Sequence, residues 1–232
     1  MYRDGRLYGC EALLRWNYMG HTYIYPPLII ALAVQSGFID SLGLAIIRMA
    51  CADMKQAERE CGFPITFSVN ILPLQLENRG FALSVGEIIK ETGVNSKNMT
   101  IELTEQVALN PGPVLEKELG ELKDAGIRIS MDDFGMGHGS LNYLNSTHFD
   151  EVKIDGALIR RLPGHAQTCE LVGNIMNMSQ ILRVDTVAEC VETEEQVSML
   201  DQLGCGIYQG YYYSRPLPLY DFIRYLKGIE HL

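Results

Sequence analysis

Short apolar or β-branched runs alternate along the chain with longer stretches that repeat apolar residues at helical spacing, and turn residues bound each short run. The short runs fall at 7–15, 65–70, 99–103, 127–132, 151–155, 184–189 and 206–209. Between them Ser41–Glu60, Leu83–Thr92, Pro113–Ala125, Cys169–Leu182 and Glu194–Leu203 read as amphipathic helices. This alternation predicts βα units around a parallel sheet, an α/β fold of the TIM (β/α)8 barrel type. A closed barrel of that type needs eight strands. Nothing between Pro216 and Leu232 reads as another, so the first strand is expected to precede residue 1.

Residues two apart on a strand share a face, which groups Glu11, Leu13 and Arg15, then Thr66, Ser68 and Asn70, Thr100 with Glu102, and Lys153 with Asp155. Val152 and Ile154 are left to pack beneath helices. The polar faces are predicted to turn into the barrel toward the strand C-termini, the end at which barrels of this class place their chemistry.

The chain has 232 residues, 47% of them hydrophobic, enough for one large domain with its own core. A formal net charge of −10 argues against a polymeric nucleic-acid partner, which needs lysine and arginine to displace counterions. The longest uncharged apolar stretch, around Pro26 to Val34, falls far short of the roughly twenty residues that span a bilayer. The chain opens on the polar segment Tyr2–Arg6, so no signal peptide is expected. Cysteines 10, 51, 61, 169, 190 and 205 show neither paired spacing nor a histidine cluster, so free thiols in a reducing cytoplasm are expected.

The polar residues at or near the strand ends carry the chemistry: Glu11, Asn70, Glu102, Asp132, Asp133, Lys153 and Glu189. Five carboxylates gathered around one lysine repel one another in a low-dielectric site and call for a divalent cation. An aspartate pair after a strand also suits a helix N-cap, but acids on neighbouring strand ends favour the metal reading. Two metal ions about 3.5–4 Å apart are the usual clamp for the attacking and leaving oxygens of a phosphodiester. Oxygen donors with no strand-end cysteine or histidine favour magnesium or manganese. His138 and His148 adjoin turns and are read as surface or packing residues. Lys153 suits either a structural ion pair or the polarising of an attacking water. Glu189 suits ligation, general-base work, or both, with Glu192 close by. Arg15, on the Glu11 face with Leu13, suits a substrate phosphate or a bridge to the barrel acids. Gln209 ends the last run beside Tyr208 and Tyr211–Tyr213, which suit stacking on a nucleobase and equally suit packing.

Taken in order, EALLRW at Glu11–Trp16, SVN at Ser68–Asn70, ELTE at Glu102–Glu105, DDFG at Asp132–Gly135, KID at Lys153–Asp155, AECVE at Ala188–Glu192 and GCGIYQGYYYSRP at Gly204–Pro216 resemble the EAL domain over nearly the whole chain. The resemblance implies a modified TIM barrel that opens cyclic di-GMP to linear pGpG with two magnesium or manganese ions. It implies that Glu11, Asn70, Glu102 and Asp132 hold the first ion, with Asp132 bridging and Asp133 and Glu189 serving the second. Lys153 then contacts the nucleophilic water and Arg15 the substrate phosphate, with Leu13 and Gln209 lining the substrate side. Glu105 would anchor the loop after the aspartate pair, and Glu192 would support the site. It further implies a homodimer, and a fused sensor or GGDEF domain as a possible companion. The rival reading is an EAL domain that binds cyclic di-GMP or a protein without turnover; lost ligands would announce it, and none is lost.

The chain departs from the family pattern at several positions. Met136, His138 and Gly139 alter the loop that couples the second metal to the dimer surface, and Cys190 stands where glycine is usual. Leu72 replaces a common serine and Val34 a glutamate, and the family's opening strand is expected to be missing.

Overall fold

The computed structural model describes residues 1–3, 6–19, 22–105, 112–135 and 149–229. Met136, His138, Gly139 and His148 therefore lie outside the described residues.

Among the described residues seven parallel strands form the wall: β3 (Gly9–Ala12), β6 (Thr66–Asn70), β7 (Met99–Thr104), β8 (Arg128–Phe134), β9 (Glu151–Ile154), β10 (Asp185–Ala188) and β11 (Ile207–Tyr208). They lie side by side in chain order, as right-handed βα repeats require. The polar opening segment is itself a hairpin of β1 (Tyr2–Arg3) and β2 (Arg6–Leu7). β1 runs antiparallel to β11, with Tyr2 opposite Tyr208 and Arg3 opposite Ile207. The backbone of Met1 meanwhile exchanges hydrogen bonds with Gly9, at 2.7 Å and 3.3 Å, so the two ends of the sheet meet. The expected gap at the eighth position is thus filled by a two-residue antiparallel strand. Sequence periodicity misses it because two residues carry no period.

The run at 7–15 is regular only to Ala12; beyond it β4 (Trp16–Tyr18) and β5 (Thr22–Ile24) form a separate antiparallel ribbon. The ribbon leads into the helix Pro26–Gln35, which opens with proline in its first turn, where a missing N–H costs nothing.

The long helix Ile39–Cys61 covers β3 and β6 and stops at Gly62, whose φ of +83° places it in the left-handed region that closes helices. Helices Phe81–Thr92, Pro113–Asp124, Ala166–Leu182 and Glu194–Gln202 follow their strands close to the predicted spans. The helix Leu219–Ile229 closes the described chain. Between wall and helices lies one apolar layer in which Phe67, Ile101, Ile129, Val152 and Ile154 are fully buried against Ile47, Val85, Leu119 and Val172. Each such side chain contributes about 1.5–3 kcal/mol on burial. Val152 and Ile154 do pack under helices, so the opposite parity faces the barrel axis.

Cys10, Cys51, Cys169, Cys190 and Cys205 are free thiols. Among the described residues no helix is long and apolar enough to cross a membrane.

Candidate active site

Lys153 is the centre of the C-terminal rim. It is 1% exposed, and its Nζ lies 2.7 Å from Glu189, 2.9 Å from Glu102, 3.3 Å from Glu11 and 3.6 Å from Asp132. Register explains the convergence: Glu102 pairs with Asn70 across β6–β7, while Lys153 pairs with Val187, two residues before Glu189. Glu11 accepts from Asn70 Nδ2 at 2.6 Å and from Gln209 Nε2 at 2.6 Å, tying the first wall strand to the last.

The aspartate pair owes its geometry to a β-bulge. Between β8 and β9, Met131 lies opposite Val152 but Phe134 opposite Ile154, so β8 carries one extra residue. Asp133 absorbs it with a φ of +56°. Adjacent residues of a regular strand point to opposite faces; here the bulge turns both carboxylates toward the rim. One oxygen each from Asp132, Asp133 and Glu189 then lie within 4.8 Å of one another, a spacing that fits a shared cation.

Burial and mutual repulsion set the proton affinities. Burial pushes Glu102 up to about 8; Lys153 opposes this, while Glu11 and Asp132 add to it. Burial likewise raises Glu189 to about 7, against Lys153 and with Asp132. Asp133 is raised by burial and by the Asp132 and Asp155 charges. For Glu11 burial again raises, but Lys153 with the hydrogen bonds from Gln209 and Asn70 outweighs it and the net shift is downward. Burial would lower Lys153, yet the acids around it, Glu102 first, hold it well above its ordinary value and keep it an ammonium.

The donor set suits a cation. Four carboxylates face one ammonium with Asp133 beside them, and Glu102 Oε1, Asp132 Oδ1 and Gln209 Oε1 are buried without a hydrogen-bond partner among the described residues. Unpaired buried oxygens of that kind cost free energy unless something binds them. All the donors are hard oxygens, as magnesium and manganese prefer.

The remaining predicted residues occupy varied places. Glu105 is buried at the end of β7. Leu13 and Arg15 lie past the end of β3, both exposed, and Arg15 donates to the Leu14 carbonyl at 2.8 Å. The face they were expected to share with Glu11 ends with the strand, so strand parity does not place them. Glu192 is exposed, and its backbone N–H is held at 2.7 Å by Gln196, which with Thr193 forms the capping box of the next helix. That box rigidifies the turn carrying Glu189. Sequence reasoning missed the bulge, which no residue type announces, and it missed Asp155 as the N-cap of the helix Gly156–Ile159. A KID strand end followed by glycine is the available signal for that cap.

A model of the EAL domain family matches residues 1–216. An uncharacterized signaling protein of Caulobacter vibrioides is 36% identical over 93% of the chain, which spans 26% of that relative. The cyclic di-GMP phosphodiesterase NbdA of Pseudomonas aeruginosa is 31% identical over 97% of the chain, which spans 29% of it. The chain thus spans about a quarter of the length of such relatives. A solved structure of the PaMucR phosphodiesterase in complex with c-di-GMP superposes with a TM-score of 0.87 and 32% identity, over 94% of this chain and 89% of that one. With the acids, the lysine and the barrel wall arranged as above and a family match over most of its length, this chain belongs to the EAL domain family.

Proposed function

We propose that this chain is a divalent-metal-dependent phosphodiesterase that hydrolyses cyclic di-GMP to linear pGpG. The observation that carries the reading is the convergence of Asp132, Asp133 and Glu189 within 4.8 Å, beside a lysine already surrounded by four acids. Glu11, Asn70, Glu102 and Asp132 would hold one magnesium or manganese ion, and Asp132, Asp133 and Glu189 the other. When bound, such ions supply Lewis acidity toward a phosphate oxygen and acidify water.

The chain's own groups do the rest. The Lys153 ammonium donates to the attacking water and restrains Glu189 at 2.7 Å. Glu189, with a proton affinity near neutrality, receives the water's proton as oxygen attacks phosphorus in line with the departing 3′ oxygen. Gln209 and Asn70 fix Glu11. Arg15 and Leu13, exposed beside the rim, meet the substrate, Arg15 through a phosphate oxygen. By the family resemblance Glu105 would anchor the loop after the aspartate pair, which lies outside the described residues, and Glu192 would support the turn after Glu189. The domain works as a homodimer in the cytoplasm, alongside further domains of a longer protein.

Incubation of purified protein with cyclic di-GMP and magnesium, resolved by chromatography, should yield pGpG, and chelation should stop it. Glu11→Ala should lower turnover at least hundredfold while the fold persists. Calcium should inhibit, since its larger radius and looser coordination misplace the water. Cyclic di-GMP bound without pGpG formation would make the domain a sensor; no binding would overturn the reading.

A further inference from the structure

Cys190, directly after Glu189, has a φ of +53°, the left-handed region that a residue with a Cβ enters only under constraint. Its constraint is visible on the neighbouring strand exit. A Cβ placed on Gly156 would lie 2.4 Å from Cys190 Sγ, 2.7 Å from Cys190 Cβ and 3.0 Å from Arg160 Nη1. The backbone of Gly156 does not itself require glycine: it is the first residue of the helix Gly156–Ile159, with no positive φ. Gly156 is glycine because Cys190 occupies the room its side chain would need. The two residues interlock.

This contact joins the two strand exits that carry the acids. On one side Gly156 follows Asp155, which caps its helix through Ala157 N at 2.5 Å and whose charge acts on Asp133. On the other side Cys190 follows Glu189, whose N–H reaches Ile154 O at 3.3 Å, a long last rung between the strands. Beyond that rung the Cys190 side chain is seated against Gly156.

We infer that Cys190 is a positioning residue whose side chain, seated against Gly156, holds Glu189 at its distance from the Asp132–Asp133 bulge. The inference rests on the metal reading of the site and adds a constraint outside the ligand set. It predicts a particular pattern of rescue. Gly156→Ala drives a methyl into Cys190, displaces Glu189 and should weaken manganese binding about tenfold, the lower end for a group that supports a ligand. Gly156→Ala combined with Cys190→Gly has space again and should regain most of that affinity. Gly156→Ala combined with Cys190→Ala should not, because the cysteine Cβ alone already lies 2.7 Å from the added methyl.

The test is manganese titration calorimetry together with metal-free thermal unfolding on the wild type and these variants. The inference expects rescue by glycine and not by alanine in both measurements. Should Gly156→Ala fail to fold, folding of the glycine double variant counts as that rescue, and its failure overturns the interlock. Gly156→Ala with wild-type manganese affinity and a lowered melting temperature would overturn the positioning role and leave a packing contact only. A wild-type chain that takes up no manganese would remove the metal reading, and the positioning role with it, while the unfolding cycle would still decide the interlock.

Discussion

At the strand N-termini, Arg3 and Arg128 each donate to Asp185 at 2.7 Å, Arg128 also donates to the Tyr8 hydroxyl at 2.7 Å, and Glu151 lies 3.9 Å from the same guanidinium. At the C-terminal rim, four carboxylates surround one ammonium with a fifth, Asp133, close by, and among the described residues two carboxylate oxygens find no hydrogen-bond partner. The floor matches two guanidiniums with two carboxylates, whereas the top sets five carboxyl groups near one ammonium and raises the proton affinity of Glu102, Glu189 and Asp133. The floor is complete as folded. On the proposed reading cations from outside complete the top, and the imbalance, more than the burial, would then separate a functional rim from a structural one.

Replacing the central ammonium should break this contrast most strongly. Lys153→Met leaves four acids facing one another, and removing one partner of a buried ion cluster costs about 3–5 kcal/mol. The metal-free variant should unfold early or fail to fold, and manganese should restore part of the loss. A melting temperature equal to wild type in chelator would show that the acids are not held by Lys153.

Removing one acid should act with the opposite sign. Glu102 is 1% exposed and pushed up to about 8 mainly by burial, so its charge is an unfavourable component of the metal-free fold. Glu102→Gln keeps the shape and three carboxylate partners for Lys153. Metal-free stability should hold or rise, while manganese affinity falls at least tenfold. A variant that loses stability and keeps its manganese affinity would remove Glu102 from the ligand set.

The floor gives the control. Arg128→Met leaves Asp185 with Arg3 alone, takes the guanidinium from beside Glu151 and removes the Tyr8 contact, a loss of about 1–3 kcal/mol for a partly exposed charged network. Manganese should add the same stabilisation to this variant as to wild type. Recovery specific to manganese would mean that the floor, too, takes up cations.

The two rims were not equally legible in the sequence. Strand and helix order follows from periodicity, and the strand-end acids follow from their types and parity, because polar side chains turned inward on strand after strand are costly to bury unless they bind something. The floor network stayed hidden, since Arg3, Tyr8 and Asp185 join strands from the two ends of the chain and register alone brings them together. Hidden for the same reason were the bulge at Asp133 and the hairpin that completes the wall: each is one or two residues long, below the length at which a period exists. Arg15 and Leu13 show the converse, a parity argument carried past the end of the strand that justifies it.

The response to pH sharpens the comparison furthest, because it separates the rims within one unmodified protein. Glu102 and Glu189, raised to about 8 and about 7, bind protons in the folded state at pH values where the unfolded chain has released them. The folded state then holds more protons, so metal-free stability is fullest below the unfolded value near 4.5 and falls as pH rises through 7 and 8. Glu11, shifted downward, contributes the reverse, but only below that window. Glu151 on the floor is also raised, by burial first, and adds a slope of the same sign that no cation at the top can remove. Melting temperatures at about pH 6 and about pH 8.5, in chelator and in manganese, divide the two contributions. In chelator the midpoint should fall by several degrees, since each kcal/mol moves a domain of this size by roughly 2–4 °C. In manganese, which binds the deprotonated acids and gains affinity with pH, the fall should shrink to the floor's share. Equal slopes in both conditions would mean that the rim acids are not what manganese binds, and the contrast between the two rims would collapse.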